Sequence, residues 1–462
     1  MRRLYGLIMI WILSAAGLVF GEGAASLTLE SSVIMALERN PEFQIASKEV
    51  NKAGAGVWEA YSVILPSISG QVNYQRSWEI QENTIPNFIK PMMGPLVDIF
   101  PEVGEMPDFV KMSFGMKNTL TYGAQLSQPL FLGGAGLAGI NMAYAAKNIA
   151  EEQYQAKKQL LIYQTASAFY QCILTREVIV VQEEALAQAQ ENLDIVQKKY
   201  DVGSASGFDK MRAEVEVANL KPEVITARNN YQAALTNLRT ILDLGANEPI
   251  EVAGDLIFQP DELDGVSLET LQGEAKAHRP EIKTMHAQKR LSTNSVRVAR
   301  SEFLPKVFFS TDYSFLAMKN DLNFKEDDFS KGFTSAVSMQ IPIFTGFKNC
   351  KQYQKARLDQ KIVLDSEKQL NSGIEADVEI AYNKFRESQE KYQASSESVA
   401  LAKEALRLAN LLYDEGASTQ LDVLNSRLAL TRSRLGHATA LYEYQMARYG
   451  LRRATGTLNG IL

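Results

Sequence analysis

Cysteine is nearly absent. Among 462 residues only Cys172 and Cys350 occur, too few for a disulfide framework, and no C-x-x-C or similar metal spacing exists. Histidine is as scarce: His278 and His286 lie eight apart on either side of Pro280, which suits no site on one helix, and His437 stands alone. Beyond the N-terminus no uninterrupted apolar run reaches the roughly 18 residues that a membrane helix needs. Positive charge is not in excess either. The formal net charge is -6 and no RNA- or DNA-binding signature occurs, so no nucleic-acid partner is expected. P-loop, nucleophile elbow and H-E-x-x-H are all missing, so no catalytic residue, cofactor or metal is expected and the chain does not read as an enzyme.

What is present begins with Arg2 and Arg3, an apolar stretch from Leu4 to Phe20, and Gly21 as a cleavage position, so residues 1–21 read as a secretory signal peptide. With 46% hydrophobic residues the rest can bury a large core, and its dominant feature is self-similarity. "NPEFQ" at Asn40 returns 239 residues later as "RPEIK" at Arg279, and Leu65-Pro66 and Tyr74 return at the same offset as Leu304-Pro305 and Tyr313. A second offset of 213 pairs Pro129, Phe131 and Gly133 with Pro342, Phe344 and Gly346, then Tyr200-Asp201 and Gly203 with Tyr413-Asp414 and Gly416. It continues through Asp209 and Asp422 to Leu238-Arg239 and Leu451-Arg452. Two copies of one unit, 22–245 and 246–462, therefore make up the mature chain, and the first carries a 26-residue insertion between Tyr74 and Pro129. The segment from Glu79 to Gly115 holds Pro86, Pro91, Pro95, Pro101 and Pro107 and reads as an irregular loop at a barrel mouth.

Each copy has the order short helix, strand pair, very long helix, turn, returning helix. The strands are expected over about 65–78 and 117–131, and again over 304–316 and 332–344. Their signature is strict alternation: Ile68, Gly70, Val72 and Tyr74 against Ser67, Ser69, Gln71 and Asn73. A half-buried sheet in a soluble protein would alternate this way, and so would a transmembrane β-barrel. The signal peptide and the lack of any other membrane element favour the barrel. Four strands cannot close one and open edges cannot face lipid, so several chains must share it.

The long helices are expected over 134–201 and 346–414 and the returning ones over 208–243 and 421–456. Ile179, Leu186, Leu193 and Tyr200 fall seven apart, as do Tyr392, Val399, Leu406 and Tyr413. Val217, Val224, Tyr231 and Leu238 repeat the spacing, as do Leu430, His437, Tyr444 and Leu451, which reads as coiled-coil packing with His437 in the seam. A 68-residue helix spans ~100 Å, and the two shorter helices of a copy, 21 and 36 residues, stacked end to end nearly match it. A hollow helical cylinder under the strands follows. One distraction is removed by the same pattern: GAGLAG, Gly134 to Gly139, has the form G-x-G-x-x-G, but the second copy has "IPIFTGFKNC" there and no return strand follows within a βαβ length. Pro129 and Gly133, with Pro342 and Gly346, instead mark the junction of strand and helix, proline ending the pairing and glycine permitting the bend. Both cysteines are expected to be free thiols used for packing, since the helix registers put them ~50 Å apart.

The N/R-P-E starts, P-x-F-x-G junctions and Y-D-x-G tips, in this order across the mature chain, resemble the TolC-like outer-membrane efflux family. The resemblance implies an α+β fold: an internally duplicated chain forming a homotrimeric 12-stranded transmembrane β-barrel in outer-membrane lipid, continued by a periplasmic α-helical coiled-coil barrel. It implies an exit duct in the outer membrane of a Gram-negative bacterium, fed by a periplasmic adaptor (membrane fusion) protein and an inner-membrane transporter. The adaptor would contact the tip turns at Gly203, Ser204, Gly416 and Ala417. Gated members close with an arginine and two aspartate rings at the tip; the corresponding positions here are Ser418, Asp422 and Asn425, with Asp209 as the acidic partner and Tyr200 and Tyr413 beside the turns. Three Asp422 side chains in a ring would raise one another's pKa. A periplasmic coiled-coil adaptor and a diffusion porin are the rival readings. An adaptor should carry one hairpin and a lipoyl-like segment, and a porin needs no heptads.

Overall fold

The computed structural model describes residues 25–93, 99, 106–246 and 248–461. The signal segment 1–21, and Pro95 and Pro101 of the insertion, lie outside the described residues. In chain order the elements are β1 (Ala25–Leu27), α1 (Leu29–Arg39), α2 (Pro41–Ser62), β2 (Ser67–Arg76), β3 (Glu82–Pro86), α3 (Ile89–Met93), β4 (Phe109–Ser113), β5 (Asn118–Phe131), α4 (Ala135–Asp201), α5 (Gly207–Leu242), β6 (Ile250–Val252), α6 (Leu268–His278), α7 (Pro280–Ser301), β7 (Lys306–Lys319), β8 (Ser330–Gln340), α8 (Lys348–Asp414) and α9 (Gln420–Thr455). Helix lengths repeat between the copies: 11 residues in α1 and α6, 22 in α2 and α7, 67 in α4 and α8, 36 in α5 and α9.

The N/R-P-E starts have a local cause. Proline lacks an N–H that the first helical position does not need, and it pushes the preceding residue out of helical geometry. Asn40 and Arg279 are accordingly extended, with ψ of 120° and 129°, so one helix stops and the next begins without a loop. Asn40 Oδ1 then accepts from Phe43 N at 3.2 Å, and its Nδ2 donates to the Ile241 carbonyl at 2.9 Å.

The chain divides into two compact units, Met1–Glu49 with Glu151–Lys283 and Lys368–Leu462, and Val50–Ala150 with Thr284–Glu367. Neither is a sequence repeat; each draws on both copies. The second unit holds a four-stranded antiparallel sheet in the order β2-β5-β7-β8. Ile68 faces Leu126, Val72 faces Tyr122, and Tyr122 faces Phe315, which stacks on it at 4.8 Å between ring centroids, so one face is apolar. Ser69 faces Gln125 and Gln125 faces Asp312 on the other, polar face. Every residue of β2 and β8 is exposed. β5 and β7 are mostly half-buried, and the outer edges of β2 and β8 have no strand partner among the described residues. At the sheet end remote from the helices, Asn118, 1% exposed, accepts from Tyr74 Oη at 2.8 Å and donates to the Asp321 carbonyl at 3.0 Å.

The insertion is not irregular throughout. β3 and β4 pair in antiparallel register from Glu82–Ser113 to Pro86–Phe109, with α3 between them, so proline density concealed a small sheet. Pro129 does not end pairing either: it lies inside β5 opposite Phe308, and the register shifts between it and Phe131. Such an irregularity in the ladder is where a strand tolerates a residue without an N–H.

The first unit is helical, with β1 and β6 as a short parallel pair. Its first-copy core joins Phe43, Phe169, Cys172, Leu235, Leu238 and Leu242, and its second-copy core joins Leu271, Ile374, Phe385, Tyr444 and Leu451. Each fully buried large side chain contributes about 1.5–3 kcal/mol. Of the seven-spaced residues, Tyr231 and Leu238 of α5 and Tyr444 and Leu451 of α9 lie in or against these cores, and Val217 and Val224 are buried outside them. Those of α4 do not: Ile179, Leu186 and Leu193 are half-buried and Tyr200 is exposed. The buried stripe of α4 is Val181, Ala185, Ala189, Asn192 and Val196 instead. Small residues allow close helix approach without producing a peak of hydrophobicity. Cys172 is fully buried, and burial pushes its thiol up to about 12. Cys350 is exposed, so its expected packing role does not hold within the chain. His437 is half-buried against Tyr392 at 5.5 Å, bonds Ser395 Oγ through Nδ1 at 3.0 Å, and burial lowers its pKa.

Candidate functional site

At the first strand-to-helix junction the chain turns through Gly133 (φ 63°) and Gly134 (φ 87°). A Cβ on Gly133 would lie 2.8 Å from the Ser301 carbonyl oxygen and 3.0 Å from Leu304 Cβ, so the end of α7 approaches its backbone closely. At the second junction Gly346 (φ 59°) is followed by Phe347, itself left-handed at φ 64°, while Pro342 lies beyond the end of β8. Nothing stands within 4 Å of a Cβ built on Gly346. The two glycines therefore differ. Gly346→Ala should cost about 1 kcal/mol of left-handed strain, and Gly133→Ala that strain plus a backbone clash. Thermal unfolding of the two variants should rank Gly133→Ala well below Gly346→Ala; equal loss would contradict the close approach.

The two helix tips, in the other unit, are built alike. Ser204 N donates to the Lys199 carbonyl and Ala417 N to that of Leu412, both at 2.8 Å. Gly203 N and Gly416 N close the inner bonds to Tyr200 and Tyr413. These are Schellman ends with glycine at the left-handed position, φ 74° and 71°. The Y-D-x-G pattern is thus the C-terminal stop of α4 and α8. The returning helices start with matching capping boxes, Ser206 with Asp209 and Thr419 with Asp422. Sequence reading named the acids but missed Ser206 and Thr419, although S-x-x-D and T-x-x-D were visible.

The sequence model of the family described as outer membrane efflux protein matches residues 33–243 and 271–457, taking in both tips and both junctions. The chain belongs to the outer membrane efflux protein family. Alkaline protease secretion protein AprF of Pseudomonas aeruginosa is 24% identical over 99% of this chain and 90% of its own length. Outer membrane protein TolC of Escherichia coli is 23% identical over 74% of this chain and 70% of its own. Among solved structures, the CmeC outer membrane channel of Campylobacter jejuni matches with a TM-score of 0.74 at 19% identity, covering 93% of this chain and 86% of that one. VceC of Vibrio cholerae matches at 0.73 and 16%, covering 93% and 96%. Among the described residues no helix is long and apolar enough to cross a membrane.

In this efflux family member the second tip carries Ser418 rather than a cation beside Asp422. Thr419 Oγ1 donates to Asp422 Oδ2 at 2.6 Å, and the Thr419 N–H and Ser418 Oγ each donate at 3.0 Å. The hydroxyl and N–H of Thr419, then the Ser418 hydroxyl, hold this carboxyl below the usual carboxylate range. Within one chain the direction is opposite to that expected from a ring of like charges. Asn425 is exposed on α9. With its amide nitrogen towards Asp209, Gln420 donates to the Asp209 carbonyl at 3.2 Å and carboxylate at 3.3 Å, and Lys199 Nζ lies 4.4 Å over the Tyr413 ring. The two tips are therefore joined within the chain. Beside them Phe208, Met211, Val215, Leu424 and Leu428 line an open apolar groove of 450 Å³.

Behind the tips is a set of residues that sequence reading missed. Arg427 Nη1 meets Glu216 Oε1 at 3.2 Å, with the side chains 10% and 8% exposed. Seven residues on, Arg434 pairs with Glu184, and Arg448 and Arg452 both reach Asp261, at 3.2 and 2.8 Å. Asp261 lies on the linker between β6 and α6, which α9 also holds through Tyr444 Oη to the Gln259 carbonyl at 2.6 Å. Arginines on α9 thus tie it to the first copy and to the linker.

Proposed function

We propose that the chain is the outer-membrane exit duct of a tripartite efflux or type I secretion system, conducting substrates passively outward. The carrying observation is the four-stranded sheet: one face apolar and exposed, the other polar, both edges open. In water such a sheet would expose its apolar face, and in lipid its edges. Pairing the β2 edge of one copy with the β8 edge of the next removes both costs, and three copies give a 12-stranded barrel. The 67-residue helices and their returning partners would then form the walls of a periplasmic coiled-coil tunnel. The names of relatives such as AprF, a secretion protein, agree with export.

At the tip, a periplasmic adaptor would meet the Gly203-Ser204 and Gly416-Ala417 turns, and the apolar groove beside Phe208 offers it a surface. Three Asp422 carboxylates would form a charged ring at the narrowest point, attracting cations. Asp422→Ala should then weaken block by divalent and trivalent cations in single-channel recordings, and unchanged block would remove the ring. Without an arginine at Ser418, the closed tip would rely on the Gln420–Asp209 contact and the ion pairs of α9. The duct itself is tested by outer-membrane fractionation with bilayer recording. A periplasmic, non-conducting protein would favour an adaptor, and conduction with no dependence of export on the gene would favour a porin.

A further inference from the structure

The insertion between β2 and β5 belongs to one repeat only; residues 320–329 make the matching connection in the other. It is a built unit. Asn87, 9% exposed, donates from N to the Asp108 carbonyl at 2.8 Å and from Nδ2 to that of Pro107 at 3.0 Å. Its Oδ1 accepts from Ile89 N at 3.2 Å, and Lys90 pairs with Asp108 at 2.7 Å. α3 is thereby latched to the strand opposite, yet Phe88 just before it and Ile89 and Met92 on it are 68%, 60% and 83% exposed, and Phe109, opposite Pro86, is 61% exposed. Four large apolar side chains left exposed on one hairpin mark an interaction site.

Lipid does not suit it. Among the described residues the hairpin has two strands, whose outer edges have no strand partner, and such edges do not enter hydrocarbon. Its root continues the sheet through Ser77 N to the Lys117 carbonyl at 2.8 Å, at the end of β2 and β5 remote from α2 and α4. Closing the sheet with two further copies brings three such roots to one rim. There the hairpins are held at the high effective concentration of tethered groups, where a small apolar contact suffices for association.

We propose that the three hairpins pack on one another through Phe88, Ile89, Met92 and Phe109, and form an apolar constriction at the outer end of the duct. This rests on the trimeric duct proposed above, and the test separates the two. In a Cys172→Ala, Cys350→Ser background, Met92→Cys is extracted in detergent and oxidised with copper phenanthroline, and its mass is measured under native conditions. The expected result is a trimer that runs as a covalent dimer without reductant. Phe88→Asp with Met92→Asp should leave the trimer intact and raise single-channel conductance at least about two-fold. A trimer whose introduced thiol stays uncrosslinked overturns the packing. Modification by a water-soluble maleimide would then leave the hairpins apart in solvent, and modification only by a lipid-partitioned one would place them on the membrane. A monomer overturns the duct as well.

Discussion

Val72→Arg is expected to keep the protein out of the outer membrane, whereas Gln71→Arg, one residue away, should be inserted normally. Val72 is 79% exposed, so a water-soluble sheet would tolerate both changes. In a barrel the two positions differ because successive side chains point to opposite faces. Arginine on the lipid face near the midplane costs ~2–4 kcal/mol, and a trimer carries the change three times. Gln71 lies opposite Gly123 on the polar face, where a long charged side chain can reach water. Outer-membrane fractionation of both variants gives the readout, and equal insertion would contradict a lipid-facing β2.

Arg427→Met should be the most damaging single change in the helical unit. It leaves Glu216 buried without its cation, and breaking one side of a buried pair costs about 3–5 kcal/mol. Protonation caps the penalty, since neutralising an ordinary glutamate at pH 7 costs about 3.7 kcal/mol. Burial already raises the Glu216 pKa, with Arg427 pulling it back, so removing the arginine raises it further. A carboxyl whose folded pKa exceeds its unfolded one keeps its full stability below the unfolded value and loses it as pH rises through the folded value. The deficit of Arg427→Met should therefore be large at neutral pH and shrink towards about pH 5. Adding Glu216→Leu should restore most of the stability at neutral pH, because no charge then remains buried. Thermal unfolding followed by helical circular dichroism orders the three proteins; a double variant no better than the single one would show that the pair is not the cause.

Elements whose geometry imposes a period were legible in the sequence. β2 alternates because the pleat does, and α5 shows Val217, Val224, Tyr231 and Leu238 because a seam repeats every two turns. Helix ends at Gly203 and Gly416 could be read because few other residues accept a left-handed stop. Other features left weaker traces. The α4 stripe of Ala185 and Ala189 packs by smallness, β1 and β6 are three residues each, and proline density masked the β3–β4 pairing. The α9 ion pairs had a signal that was passed over. Arg427, Arg434 and Arg448 stand at multiples of seven beside the seam, where an unpaired charge would be costly, so each called for an acidic partner. Which acids answer is set by tertiary contact and could not be read from spacing.

The most direct test of the account is the number of chains in the detergent-extracted protein, measured by native mass spectrometry. Three copies of the processed chain per particle are predicted, because four strands from each must close one 12-stranded barrel. A particle of one or two chains would leave the sheet edges unclosed in that way and contradict the duct.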